Sequence, residues 1–174
     1  MRAGVAQATE KDTTAPVFGE QALAEYEEIL GRYPVKRAAL MPVLWLAQRE
    51  FGWLSGEVRE YVADLMELPL AWVEGVVSFY TMYYRRPMGR HHIQVCTNLS
   101  CRLRGADSIV SAVRRRIGIK PGETTRDQRF SFDTVECLGS CGTAPMLQLG
   151  DRFVENLDVG GVLDLIDDLE KEEN

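Results

Sequence analysis

The sequence predicts an α+β chain, with a small helical bundle at residues 18–86 followed by a compact α/β domain at residues 87–174. Three observations carry that reading. Apolar residues recur at helical spacing through the first half. Near Met88-Gly89-Arg90 the period changes, and segments that alternate as strands do begin to take turns with helical ones. All four cysteines fall in the second half, in two tight pairs, VCTNLSC and VECLGSC.

In the first half, residues 18–33 place Leu23, Tyr26, Leu30 and Tyr33 on one helical face, and Gly31 and Pro34 end the pattern. A second helix carries Leu40, Leu44, Ala47 and Phe51, and Gly52 stops it. Pro42 must either kink that helix or sit in its first turns. Ser55 is the expected N-cap of a third helix with Val58, Tyr61, Val62 and Leu65 on its stripe. The fourth opens at Pro69 and presents Val73, Val76, Val77 and Tyr80, with Gly75 able to permit a close helix-helix approach. Four short helices with brief links make a small bundle. Trp45, Trp53 and Trp72 are expected to pack within it, and an exposed one would mark a partner surface. This half carries no visible chemistry and reads as a docking or support module.

In the second half, residues 92–96 alternate as a strand, and a short loop leads to a helix marked by Ala106, Ile109, Val110, Val113 and Ile117 and closed by Gly118. After the Pro121-Gly122 turn, residues 130–136 form a second strand leading into Cys137. Both cysteine pairs therefore follow strand ends. Residues 146–149 and 152–154 flank Gly150-Asp151 as a tight hairpin, and Asp158 caps a last helix. Val159, Val162, Leu163, Ile166 and Leu169 are its expected buried face, with Asp164, Asp167, Asp168 and Glu170 toward solvent. Strand, helix, strand, hairpin, helix is the order of a thioredoxin-like sandwich, and Ala144-Pro145 ahead of the hairpin is a candidate cis bond.

Composition narrows the function classes. At 174 residues and 45% hydrophobic, the chain can bury one good core or two small ones. The longest apolar run, residues 38–47, is interrupted by Pro42 and falls far short of the ~20 residues that span a bilayer, so no membrane insertion is expected. Residues 1–17 lack the apolar core of a secretory signal and read as a polar, disordered lead-in. The expected compartment is the cytoplasm, where thiols stay reduced and structural disulfides are rare. A net charge of −6 argues against general nucleic-acid binding. The one basic run, Arg114-Arg115-Arg116, reads as a solvated helix surface.

Four thiols in two pairs suit a soft or borderline metal. Zinc knuckles favour two residues between paired cysteines, and the gaps here are four and three. A 2Fe-2S cluster is wider, takes two cysteines on each iron, and tolerates a four-residue gap in plant-type ferredoxins. Spacing leaves the cluster, a zinc ion and thiol redox chemistry all open, although neither pair has the two-residue spacing of thioredoxin chemistry. His91 and His92 lack the cysteine-histidine pairing of a Rieske centre and read as surface residues. Backbone N–H groups of residues 97–103 and 138–142, and the positive end of the helix after Cys101, are the expected stabilisers of anionic sulfur. Arg102 and Arg104 are either further cations at the site or exposed loop charges, and Gly139 and Gly142 suit loops that bend amides toward sulfur. No general base, open metal position or phosphate loop accompanies the thiols, so no catalytic residue is expected. A one-electron carrier needs none.

CTNLSC followed by ECLGSCGTAPM, after a helical stretch containing ALMPVLWLAQ and an FYTMYY segment, resembles one family. That family is the small, E-type, thioredoxin-like 2Fe-2S component of bacterial NADH:quinone oxidoreductase, respiratory complex I. The resemblance runs from about residue 18 to residue 169, and the cysteine motifs match without departure. It implies that Cys96, Cys101, Cys137 and Cys141 ligate one 2Fe-2S cluster. It also implies an oxidoreductase complex in whose peripheral arm this chain only carries electrons. NADH and FMN would sit in a partner flavoprotein subunit, whose flavin exchanges electrons with the cluster from the side of the main route. NAD-linked hydrogenases and formate dehydrogenases contain similar subunits, and those parent complexes stay open.

Overall fold

The computed structural model describes residues 15–171, so residues 1–14 of the expected disordered lead-in lie outside the described residues. The chain divides between Arg86 and Pro87 into two compact units.

Among the described residues, the first unit holds four α-helices: α1 (Glu20–Gly31), α2 (Leu40–Phe51), α3 (Gly56–Met66) and α4 (Leu70–Phe79). A 3₁₀ turn at Lys36–Ala39 delivers the chain into α2, so Pro42 sits in the first turn of that helix. There its missing N–H costs nothing, because first-turn donors have no intrahelical partner. Ser55 caps α3, its hydroxyl accepting from the Val58 amide at 3.2 Å. Leu44, Leu46, Leu54, Val62 and Met66 are completely enclosed, each such side chain contributing about 1.5–3 kcal/mol relative to exposure. On α1 the buried face is Ala22, Tyr26 and Ile29, while Leu23 and Tyr33 are exposed. The two candidate stripes share Tyr26, and its hydroxyl, donating to the Leu65 carbonyl at 3.1 Å, fixes the helix about that residue. Gln48 pins the segment after α4, donating to the Met82 carbonyl at 3.0 Å and accepting from the Tyr84 amide at 2.6 Å.

Two further expectations for this unit fail. Trp45 and Trp72 are 41% and 44% exposed rather than packed. Nothing lies within 4 Å of a Cβ placed on Gly75, so that glycine brings no helix close. It lines instead a shallow groove with Arg37, Met41, Trp72, Phe79 and Tyr80.

The second unit is a five-stranded sheet with helices. Its elements are β1 (His91–Cys96), α5 (Leu99–Leu103), α6 (Ala106–Ile117), β2 (Glu123–Thr124), β3 (Phe130–Val135), β4 (Leu147–Leu149), β5 (Arg152–Val154) and α7 (Val159–Lys171). The order across the sheet is β2-β3-β1-β4-β5, with β1 parallel to β3 and every other pairing antiparallel. A parallel pair needs a long crossover, and α5 and α6 supply it. Period-two alternation sends Ile93 and Val95 of β1 into the core with Phe130 and Phe132 of β3, Ile109 and Val113 of α6, and Val162 and Ile166 of α7. Arg116 of α6 spans to α7, bonding Asp167 Oδ1 at 2.7 Å and Glu170 Oε2 at 2.5 Å. Arg116 is therefore an interhelical tie, and those two acids are its partners rather than freely solvated groups. Asp158 caps α7, accepting from the Gly161 amide at 2.7 Å, and Ala144-Pro145 is cis.

His92 departs from its expected surface position. It is only 6% exposed, and its Nε2 lies 2.7 Å from Asp133 Oδ2. His91 is half-buried with its ring tilted against Phe130. Even strand positions, which one-dimensional reading leaves to solvent, are covered here: Gln94 and Ser131 are buried as well. No helix among the described residues is long and apolar enough to cross a membrane.

Candidate metal centre

The four cysteines come from the two neighbouring parallel strands, since Cys96 ends β1 and Cys137 lies just beyond β3. Parallel pairing places Cys96 beside Val135, so the chain leaving each strand emerges at the same sheet edge. That register is what brings pairs distant in sequence to one end of the fold.

The segment expected as a loop after Cys96 contains the single-turn helix α5, with Cys101 inside it and the expected helix, α6, following from Ala106. Cys96 and Cys101 are each 2% exposed, walled by Ala106, Ala144, Met146 and the half-buried Leu138. Their side chains are direct neighbours. Cys96 Sγ lies 3.7 Å from the Glu136 carbonyl oxygen, which leads into the second pair. Burial, reinforced by Cys96 beside it, pushes the Cys101 thiol up to about 11, while the Met146 backbone amide acts in the opposite direction. Without a cation the pocket keeps that sulfur protonated. A bound metal supplies the positive charge that makes two buried thiolates tolerable.

Cys137 and Cys141 are exposed, on a loop whose only apolar anchor is Leu138. Gly139 turns this loop at φ +84°, a left-handed conformation that costs glycine nothing. A 3₁₀ turn over Cys141–Thr143 then feeds the cis Ala144-Pro145 bond. Cys141 is close enough to Cys101 for the two sulfurs to influence each other electrostatically. Among the described residues, no three His, Cys, Asp or Glu side chains close on a single point. A buried pair and an exposed pair of thiols suit a 2Fe-2S unit, in which each iron takes two.

The expected sulfur stabilisers are partly committed elsewhere. The Thr97 amide donates to the Val135 carbonyl at 2.9 Å and the Arg102 amide to the Asn98 carbonyl at 2.8 Å. The Arg102 guanidinium lies 3.4 Å from Asp107 on the surface. Arg104 takes a different role, its Nε donating to the Ala144 carbonyl at 2.6 Å. His91 and His92 start the strand that Cys96 ends, roughly 13 Å or more along it.

One group escapes sequence reading altogether. Glu155, just after β5, receives the hydroxyls of Ser140 and Thr143, the latter at 2.6 Å, and those two residues straddle Cys141. A glutamate at a strand end carries no local signal that it meets a loop formed earlier in the chain.

Residues 26–170 match the family model described as thioredoxin-like [2Fe-2S] ferredoxin. An E-type component of the NADH-quinone oxidoreductase of Rhizobium meliloti (strain 1021) is 44% identical over 134 residues, covering 77% of this chain and 80% of that protein. The E-type component of the NADH-quinone oxidoreductase of Rickettsia bellii (strain RML369-C) is 44% identical over 143 residues, covering 80% and 86%. Among solved structures, the NAD+-reducing [NiFe]-hydrogenase in its air-oxidized state shares the fold, with a TM-score of 0.64 at 20% identity. The match covers 79% of this chain and 23% of that one. The protein belongs to the thioredoxin-like [2Fe-2S] ferredoxin family.

Proposed function

We propose that this chain is the electron-transfer subunit of an NADH-quinone oxidoreductase, holding one 2Fe-2S cluster on Cys96, Cys101, Cys137 and Cys141. The observation that supports the reading is that two buried thiols and two exposed ones lie on segments leaving the same end of a parallel strand pair, in a chain 44% identical to E-type components of that enzyme over most of its length. When bound, such a cluster supplies one-electron exchange, its formal charge going from about −2 to about −3 on reduction. The protein does the rest. Cys96 and Cys101 would hold it from an apolar pocket that Ala144 and Met146 wall off. Cys137 and Cys141 would hold it from the exposed loop, the side open to a partner.

That partner, in this reading, is a flavoprotein subunit that binds NADH and exchanges electrons with the cluster through its FMN. Trp45, Trp72, Phe79 and Tyr80, all exposed on the helical unit, are the aromatic surface available for docking it. The chain itself turns over no substrate. It would sit on the cytoplasmic side, in the peripheral arm of a membrane-associated complex.

The test is electron paramagnetic resonance of anaerobically purified protein before and after dithionite, with iron and acid-labile sulfide counted on the same sample. A rhombic one-electron signal that appears only on reduction, with about two iron and two sulfide per chain, is expected. Zinc without a signal would leave a structural metal module instead.

A further inference from the structure

The loop that carries Cys137 and Cys141 has little of its own to hold it. Both cysteines are exposed, Gly139 bends the loop at φ +84°, and only Leu138 reaches the apolar wall. Yet the position of the Cys141 sulfur depends on this loop keeping one shape. The polar side chains that straddle Cys141 point the same way. Ser140 and Thr143 both direct hydroxyls to Oε1 of Glu155, and their own oxygens lie 2.7 Å apart. Each hydroxyl has one proton, so two protons serve these three short contacts, and the carboxylate oxygen, which can only accept, draws on both hydroxyls.

Backbone pairing continues the same seam. The Asn156 amide donates to the Thr143 carbonyl at 2.8 Å, and the Leu157 amide to the Pro145 carbonyl at 2.9 Å. Two donated hydroxyls, Ser140 the larger influence and Thr143 the lesser, hold the Glu155 carboxyl below the usual carboxylate range. It is therefore ionised at neutral pH, and hydrogen bonds to an ionised acceptor are the stronger kind.

We infer that Glu155 is a positioning residue for the 2Fe-2S site, a latch that holds Ser140 and Thr143 and so fixes the Cys141 side of the ligand set. The inference rests on the cluster reading above. It assigns Glu155 no contact with iron or sulfur. Partners of metal ligands are worth about 10–100-fold in affinity or activity when removed, and a latch on the loop between ligands belongs in that class.

The experiment compares the full-length wild type, Glu155→Ala, Glu155→Gln and the Ser140→Ala/Thr143→Ala double variant. Three readouts are taken: the g values of the reduced protein, the rate of iron loss to a chelator, and amide hydrogen exchange of residues 138–144 in iron-free protein. Glu155→Ala and the double variant should lose iron about tenfold faster or more, with shifted g values and faster exchange in that loop. Glu155→Gln keeps an acceptor oxygen of the same reach and should restore all three toward wild type. Adding Glu155→Ala to the double variant should change nothing more. Wild-type behaviour of Glu155→Ala in iron loss and exchange overturns the latch, and so does Glu155→Gln behaving like Glu155→Ala. Should wild type carry no iron-sulfur cluster, the functional reading fails and the inference with it, whereas unaltered loop exchange in a cluster-bearing protein sinks the latch alone.

Discussion

Arg104 reaches across the site to Ala144: its Nε donates to the Ala144 carbonyl at 2.6 Å, joining the chain just after Cys101 to the chain just after Cys141. The two cysteine segments are thus tied by a side chain as well as by the parallel strands behind them. A cationic donor makes this a stronger bond than a neutral amide would.

Removing that tie should loosen the ligand set. Arg104→Ala is expected to lose its cluster to a chelator about tenfold faster than wild type, with far-UV circular dichroism unchanged. Iron retention equal to wild type would show that the strand register alone holds the loops.

Each cysteine is expected to be required. Cys137→Ser should bring iron and sulfide well below about two of each per chain or strongly alter the reduced spectrum. Wild-type metal content together with a wild-type spectrum in this variant would count against the ligand assignment.

Gly89 is a steric necessity rather than a flexible joint. A Cβ there would lie 2.7 Å from the Phe130 carbonyl carbon and 2.9 Å from its nitrogen, backbone atoms that cannot swing aside. The Gly89 amide also donates to Ser131 Oγ at 2.7 Å, deep in the unit. Gly89→Ala should therefore destabilise the second unit by about 1–3 kcal/mol, the usual cost of overpacking. Urea titration followed by circular dichroism will read it, and a shift under about 0.5 kcal/mol, the scatter of neutral substitutions, would contradict the clash.

Tyr83 gives the first unit an alkaline weakness. Its hydroxyl donates to the Met41 carbonyl at 2.9 Å, and burial, with a smaller effect from Tyr80, pushes it up to about 12 from 10.0. Between those values the unfolded chain releases a proton that the folded chain keeps. The contribution is whole below pH 10 and is lost as pH rises toward 12, about 2 kcal/mol in all. Urea midpoints measured from pH 9 to pH 12 should fall more steeply for wild type than for Tyr83→Phe. Parallel curves would show that Tyr83 titrates as an exposed phenol does.

The two compact units have separate apolar cores, and we propose that they are separable. A chain of residues 87–174 alone is expected to keep the reduced-state spectrum while losing most of its affinity for the flavoprotein partner. Loss of the cluster on truncation would mean that the two units fold as one.

Much of this protein was legible as pattern. Period 3.6 marked six of the helices and period 2 the longer strands. Ser55, Asp158, Gly52 and Gly118 ended or capped elements where local chemistry demanded. Such features depend on neighbours within a few residues, and so does the spacing of the cysteine pairs. Failures came where two local patterns were nearly equal. On α1, Ala22 and Ile29 took the buried face with Tyr26, Leu30 kept partial contact with the core, and Leu23 and Tyr33 were left exposed because Tyr26 turned toward Leu65. The single turn of α5 was too short to show a period.

By itself the sequence determined the helical and α/β halves, the strand-end placement of the thiols, and a four-thiol donor set suited to a soft or borderline metal. Only tertiary structure decided which sulfurs are inner and which outer. It also decided that Trp45 and Trp72 face outward, that His92 is buried beside Asp133, and that Arg104 and Glu155 close on the cysteine loops. The physical reason is range. Periodicity and capping act over one or two turns of chain, whereas burial and long-range hydrogen bonds depend on which strands become neighbours, and that is a property of the assembled sheet.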